Sequence, residues 1–130
     1  MIANQVDIDS SAIETTSVVI VNFNAGDYLT VSVESALAQD GVIEVLVVDN
    51  HSTDESITQL RESVPGKPVE IIMLDANYGF AHACNLGAER ALGDMVLFLN
   101  PDCCMQGGAL TRMREVLRKN PDAGMVGPLL

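Results

Sequence analysis

Met95, Val96, Leu97, Phe98 and Leu99 form an unbroken apolar run that stops at Asn100, Pro101 and Asp102. Five apolar residues in succession leave no polar face for water, so the run reads as a strand buried on both faces, in the middle of a parallel α/β sheet. Pro101 forbids a further ladder hydrogen bond and holds Asn100 extended. Asp102 is thereby delivered just past the carboxyl end of a central strand, where open α/β sheets bind ligands. A lone carboxylate there suits a hard cation that takes its other ligands from water and phosphate oxygens. The same three residues also make an ordinary turn, and the stretch alone leaves both readings open.

The flanking sequence repeats this plan. Residues 1–15 are polar and acidic without a sustained period and read as a loose, flexible tail. Ser17 to Val21 is a β-branched first strand that runs into Asn22, Phe23 and Asn24, and Asn24 can cap a helix carrying Leu29, Val33 and Leu37. A second buried strand, Val42 to Val48, ends in Asp49, after which Ser52 and Glu55 have capping-box spacing for a helix to about Ser63. Pro65 to Pro68 turns the chain into a third strand, Val69 to Leu74. A small-residue segment, Tyr78 to Ala91, reads as a helix that can lie close to a sheet or a ligand, and Gly93 ends it. Gly107 to Lys119 is a fourth helix, and Ala123 to Val126 starts a fifth strand. The expected order is β-α-β-α-β-α-β-α-β, a mostly parallel sheet with helices on both faces and right-handed crossovers. The chain stops at Gly127 to Leu130, just after that fifth strand, so residues 16–130 read as part of a domain truncated at its C-terminus.

Charge narrows the partners. Eighteen acidic residues against seven basic ones give a net charge of −11, which argues against nucleic acid or an anionic membrane surface. An anionic substrate would need a bound cation to reverse the local field. Cys84, Cys103 and Cys104 have neither the spacing nor the His neighbours of a zinc site and read as free thiols of a reducing cytoplasm, with Cys103 and Cys104 as packing residues. No apolar run approaches the length of a membrane span.

Two carboxylates, Asp49 and Asp102, end buried strands on one edge of the expected sheet, which points to a shared ligand. A nucleoside diphosphate fits: one carboxylate can accept the imide N–H of uracil or thymine while the other meets a metal on the diphosphate. For Asp49, Ser52 and Asp54 the alternative is helix capping. Asn85, inside a helix at a cost of about half a kcal/mol, calls for either a loop-pinning hydrogen bond or a ligand contact. His82 reads as a surface imidazole, because no nucleophile arrangement points to it. Dinucleotide and phosphate-loop folds are excluded by the lack of Gly-x-Gly-x-x-Gly or Gly-Lys-Ser/Thr after the first strand. A nucleotidyltransferase normally opens with a basic, Gly-rich loop there, and a receiver-like, non-catalytic module carries an acidic pair there; Asn22-Phe23-Asn24 is neither.

Five segments in order carry a family resemblance: Ser17 to Asn24; Leu29 with Ser35 to Gln39; Val47 to Asp54; Asn77 to Gly87; and Leu97 to Asp102. From Ser17 onward the chain resembles the donor-binding half of family-two glycosyltransferases, and with Asn77-x-Gly-Phe-Ala it is most similar to the bacterial rhamnosyltransferase branch. The resemblance implies the Rossmann-like nucleotide-binding half of a GT-A fold and an inverting transfer from a uridine or thymidine diphosphate sugar to a saccharide or lipid-linked acceptor, in cell-surface polysaccharide synthesis. It implies donor contacts from Asn22, Asn24, Asp49, Ser52, Asn77, Gly79, Asn85, Asn100 and Asp102. Asp102 would face a Mn²⁺ or Mg²⁺ ion, and Asn100 replaces the first Asp of the usual Asp-x-Asp. The general base is expected beyond residue 130, so this chain alone is expected to bind donor without transferring sugar. The expected location is cytoplasmic, peripheral at the inner face of the membrane. The open sheet edge is expected to allow self-association.

Overall fold

A computed structural model describes residues 14–129. Its elements are β1 (Thr16–Asn22), α1 (Tyr28–Leu37), β2 (Val42–Asp49), α2 (Ser56–Ser63), β3 (Val69–Met73), α3 (Phe80–Arg90), β4 (Met95–Leu99) and α4 (Ala109–Lys119). The four strands form one parallel sheet in the order β3-β2-β1-β4. β1 and β2 are interior strands, and their continuous apolar runs are buried on both faces as the sequence requires.

One face packs Val18, Ile20, Val45 and Val47 against Leu29, Val33 and Ala36 of α1 and Ile57 and Leu60 of α2. The other packs Val21, Val48 and Ile72 against Ala83 of α3, with Leu86 beside them. The small residues of α3 serve the sheet: a Cβ on Gly87 would lie 2.5 Å from Cγ1 of Val19, so only glycine lets the helix sit this low.

Three expectations need correction. β4 is an edge strand among the described residues rather than a central one, and its alternate residues Val96 and Phe98 are exposed, Phe98 by 50%. The apolar run correctly marks a strand, but α3 packs on β1 and β2 and leaves that face of β4 open. Ala123 to Val126 forms no strand; Gly124, Met125 and Val126 instead line a groove of about 550 Å³ beside β4 and α4. The expected tail lies outside the described residues up to position 13, whereas Thr15 and Glu14 are tied down. Thr15 donates to Asp94 through N and Oγ1 (both 2.9 Å), and the Glu14 carbonyl accepts from Arg114 Nη1 (2.8 Å). No helix among the described residues is long and apolar enough to cross a membrane.

Candidate functional site

All four strands point their carboxyl ends to one edge, so Asn22, Asp49 and the Asn100–Asp102 corner meet there. Asn22 and Asp49 are paired across β1 and β2 and are fully buried. Asn22 Nδ2 donates to Asp49 Oδ1 (2.8 Å), Ser52 Oγ (3.1 Å) and Ser56 Oγ (2.9 Å). Asp49 Oδ2 accepts from Ser52 N (2.9 Å). Burial of polar groups at this density is tolerable because each finds a partner. Both oxygens of Asp49 are thus engaged within the protein.

Above this network the loops after β1 and β2 clasp each other. Asn24, at φ 52°, accepts at Oδ1 from Thr53 N (2.8 Å) and Asp54 N (3.2 Å), and its own N–H donates to Ser52 Oγ (2.9 Å). Asp54 accepts from Gly26 N (2.9 Å) and from Ser56 N and Oγ. Desolvation pushes the Asp54 carboxyl up, but the bonds from Ser56 and Gly26 outweigh it and hold it below the usual carboxylate value. Two expected caps are therefore absent: Asn24 does not cap α1, and no Ser52–Glu55 box forms on α2. Both polar side chains are drawn into the contact between loops, which satisfies donors on two segments instead of one.

The third loop is fastened by Asn50, a residue the sequence did not single out. It is 3% exposed, and its amide donates to Gly79 O (3.1 Å) and accepts from Tyr78 N (3.2 Å). Asn77 Oδ1 accepts from Gly79 N (2.9 Å), a local turn that suits the Gly79 φ of 90°. Asn85 is exposed on α3 and makes no loop-pinning bond, which removes one of its two expected roles. His82 is exposed and lies against the Tyr78 ring (centroids 5.1 Å apart). Cys103 and Cys104 are exposed rather than packed.

Between the β1–α1 loop and the β4 corner lies an open cleft of about 780 Å³, lined by residues 23–28 on one wall and Asn100, Pro101 and Asp102 on the other. Phe23, Tyr28, Asp27 and Asp102 are exposed there. Asp27, Phe23 and Tyr28 were not flagged from sequence; their signal is only that aromatic residues sit in a polar strand-end loop. Two carboxylates line this cleft and no Lys or Arg does. One or two carboxylates that leave coordination sites for phosphate and water are what Mg²⁺ or Mn²⁺ takes beside a diphosphate, so the donor set fits a divalent cation. No group of three or more His, Cys, Asp or Glu able to hold a metal exists among the described residues, so such an ion would rely on its ligand. Asp49 and Asp102 are separated by β1, two strand spacings or about 10 Å, so a shared ligand must be extended.

The family model described as Glycosyl transferase family 2 matches residues 17–129. A glycosyltransferase of Nostoc sp. described as uncharacterized is 39% identical over 114 residues, covering 85% of this chain and 35% of the relative. The succinoglycan biosynthesis protein ExoO of Rhizobium meliloti is 38% identical over 98 residues, covering 75% of this chain and 28% of the relative. The chain thus spans about a third of the length of these relatives. The fold is shared with the mannosyltransferase PcManGT of Pyrobaculum calidifontis, solved with GDP-Man and Mn²⁺, at a TM-score of 0.73 and 22% identity over 82% of this chain and 33% of that one.

Proposed function

The chain belongs to glycosyltransferase family 2, and from that premise we propose that it binds the nucleoside diphosphate sugar for an inverting transfer in cell-surface polysaccharide synthesis. The observation that carries the reading is the cleft whose walls bear Asp27 and Asp102 and no cationic side chain. A diphosphate binds weakly there until a cation neutralises its charge. A divalent ion held by Asp102 would stabilise the charge that develops on the leaving diphosphate as the sugar–phosphate bond breaks. Phe23, exposed on the opposite wall with Asp27, offers a face on which a base can stack.

Uridine or thymidine is the proposed nucleoside, because an imide N–H needs an acceptor. Asp49 keeps spare acceptor capacity beyond its two protein donors, but it is fully buried, so the clasped loops must part for it to be reached. Asn22, Asn24, Ser52, Asn77 and Gly79 then act by shaping the loops, while Asn85 and Asn100 are exposed and open to ligand. The succinoglycan protein among the relatives supports a polysaccharide product, and the GDP-Man and Mn²⁺ of the mannosyltransferase support a nucleotide sugar with a metal. Rhamnose as the sugar and a saccharide or lipid-linked acceptor rest on the motif resemblance alone. The general base is proposed for the two thirds of the relatives' length that this chain does not span.

Calorimetric titration of UDP, dTDP and GDP with and without Mn²⁺ tests the reading. Pyrimidine diphosphates should bind with Mn²⁺ enhancement, and Asp102→Asn should abolish the enhancement and leave the fold intact, since Asp102 lies in an exposed turn. A Mn²⁺ response that survives in Asp102→Asn would make Asp102 a turn residue only, and tighter binding of GDP would refute the pyrimidine assignment.

A further inference from the structure

Ser32, Ser35 and Gln39 recur three and four residues apart, so they fall along one stripe of α1 and its C-terminal turn. That stripe faces the segment after β4, and each member bonds to it. Ser32 Oγ donates to Asn100 O (3.1 Å). Ser35 Oγ accepts from Met105 N (2.9 Å) while donating to Ser32 O (2.8 Å). Gln39 Nε2 donates to Gln106 O (3.0 Å), and Oε1 accepts from Leu110 N (3.2 Å). Ser32 is fully buried and Gln39 is 6% exposed, so these bonds compete little with water. Four backbone groups between positions 100 and 110 are thereby bonded by side chains of α1 and the turn that ends it, on both sides of Asp102.

The same helix begins at the other wall of the cleft, where Tyr28 is its first residue and Asp27 precedes it. α1 therefore connects the two walls as a rigid strut, attached by the main chain to one and by the polar stripe to the other. An exposed turn bearing a lone carboxylate would otherwise sample many positions, and ordering it at the moment of binding would weaken the ligand.

We propose that Ser32, Ser35 and Gln39 are positioning residues that hold the Asn100–Asp102 corner opposite Asp27 at the spacing a metal-bound diphosphate requires. The assignment rests on the donor-binding reading above. The test uses the purified chain and two readouts: hydrogen exchange of the Met105 and Leu110 amides in metal-free buffer, and the affinity of UDP with and without Mn²⁺. The Met105 amide should exchange faster in Ser35→Ala and the Leu110 amide in Gln39→Ala, and in both the Mn²⁺ enhancement of UDP affinity should fall about tenfold. UDP affinity without Mn²⁺ should stay within about twofold, and Ser35→Thr, which keeps the hydroxyl, should restore the enhancement. Ser35→Ala removes one bond to the segment after β4 and one within α1, and it keeps the measurement available should Gln39→Ala not fold. Faster exchange with an unchanged Mn²⁺ enhancement would reduce the stripe to a structural fastening and overturn the proposal. A parent chain that binds UDP without any Mn²⁺ effect would overturn the metal reading of Asp102 itself, a different result from parent-like variants.

Discussion

At the scale of single residues, Asp49 shows how a strand-end carboxylate is spent. Its oxygens take one donor from the β1 partner Asn22 and one from the backbone of Ser52. Asp49→Asn preserves shape but turns an amide N–H toward one of those two donors. The mutant should lose about 1–3 kcal/mol, the cost of an unsatisfied buried donor, read as a lower urea midpoint with an unchanged slope. An unchanged midpoint would mean that the Asn22–Asp49–Ser52 set contributes nothing to the loops. The carboxylate itself was legible in the sequence, because an acidic residue ending a β-branched run is conspicuous. Its partner count was not, since Asn22 lies 27 positions away.

Among the elements, α3 and the paired loops carry the clearest consequences. Gly87→Val would drive a branched side chain into Val19, whose Cγ1 is already 2.5 Å from the position a Cβ would take. Lifting α3 should cost about 1–3 kcal/mol, typical of overpacking, and calorimetry should show a lower Tm. An unaltered Tm would imply that α3 floats on the sheet. Acid should loosen the loop clasp. The folded-state pKa of Asp54 is lowered, so the stability it contributes is full above its unfolded pKa near 3.9. That contribution is lost as pH falls through the lower folded value. Asp54→Asn should therefore flatten the acid limb of the stability curve below about pH 4, and a limb as steep as the parent's would place the acid sensitivity elsewhere. The capping reading of Ser52 failed at this scale because a hydroxyl at helix-start spacing has several possible donors, and the neighbouring loop supplied a better one.

For the molecule as a whole, the outer edge of β4 pairs with no strand among the described residues, and Val96 and Phe98 are exposed on the adjoining face. Unpaired backbone groups beside apolar side chains are a template for another chain. Sedimentation should show association that grows with protein concentration, and Phe98→Asp should suppress it. A monomer throughout the concentration range would show that the edge is protected. The expected fifth strand does not cover it, because residues 123–126 form no strand and Gly124, Met125 and Val126 line the groove without joining the ladder.

Local chemistry in the sequence was enough to determine that this chain forms parallel strands alternating with helices, and that its polar corners gather at the carboxyl ends of the strands. Runs of β-branched residues, helical spacing and Pro or Gly stops act within a few neighbours, and β1 and β2 follow them closely. The tertiary structure alone decided which strand lies at the edge, where Asn22, Asn24 and Ser52 send their hydrogen bonds, and that Ser32 reaches Asn100 across 68 residues. Those outcomes depend on which distant segments come to lie side by side, and a polar side chain bonds to whichever donor or acceptor the fold brings within about 3 Å of it.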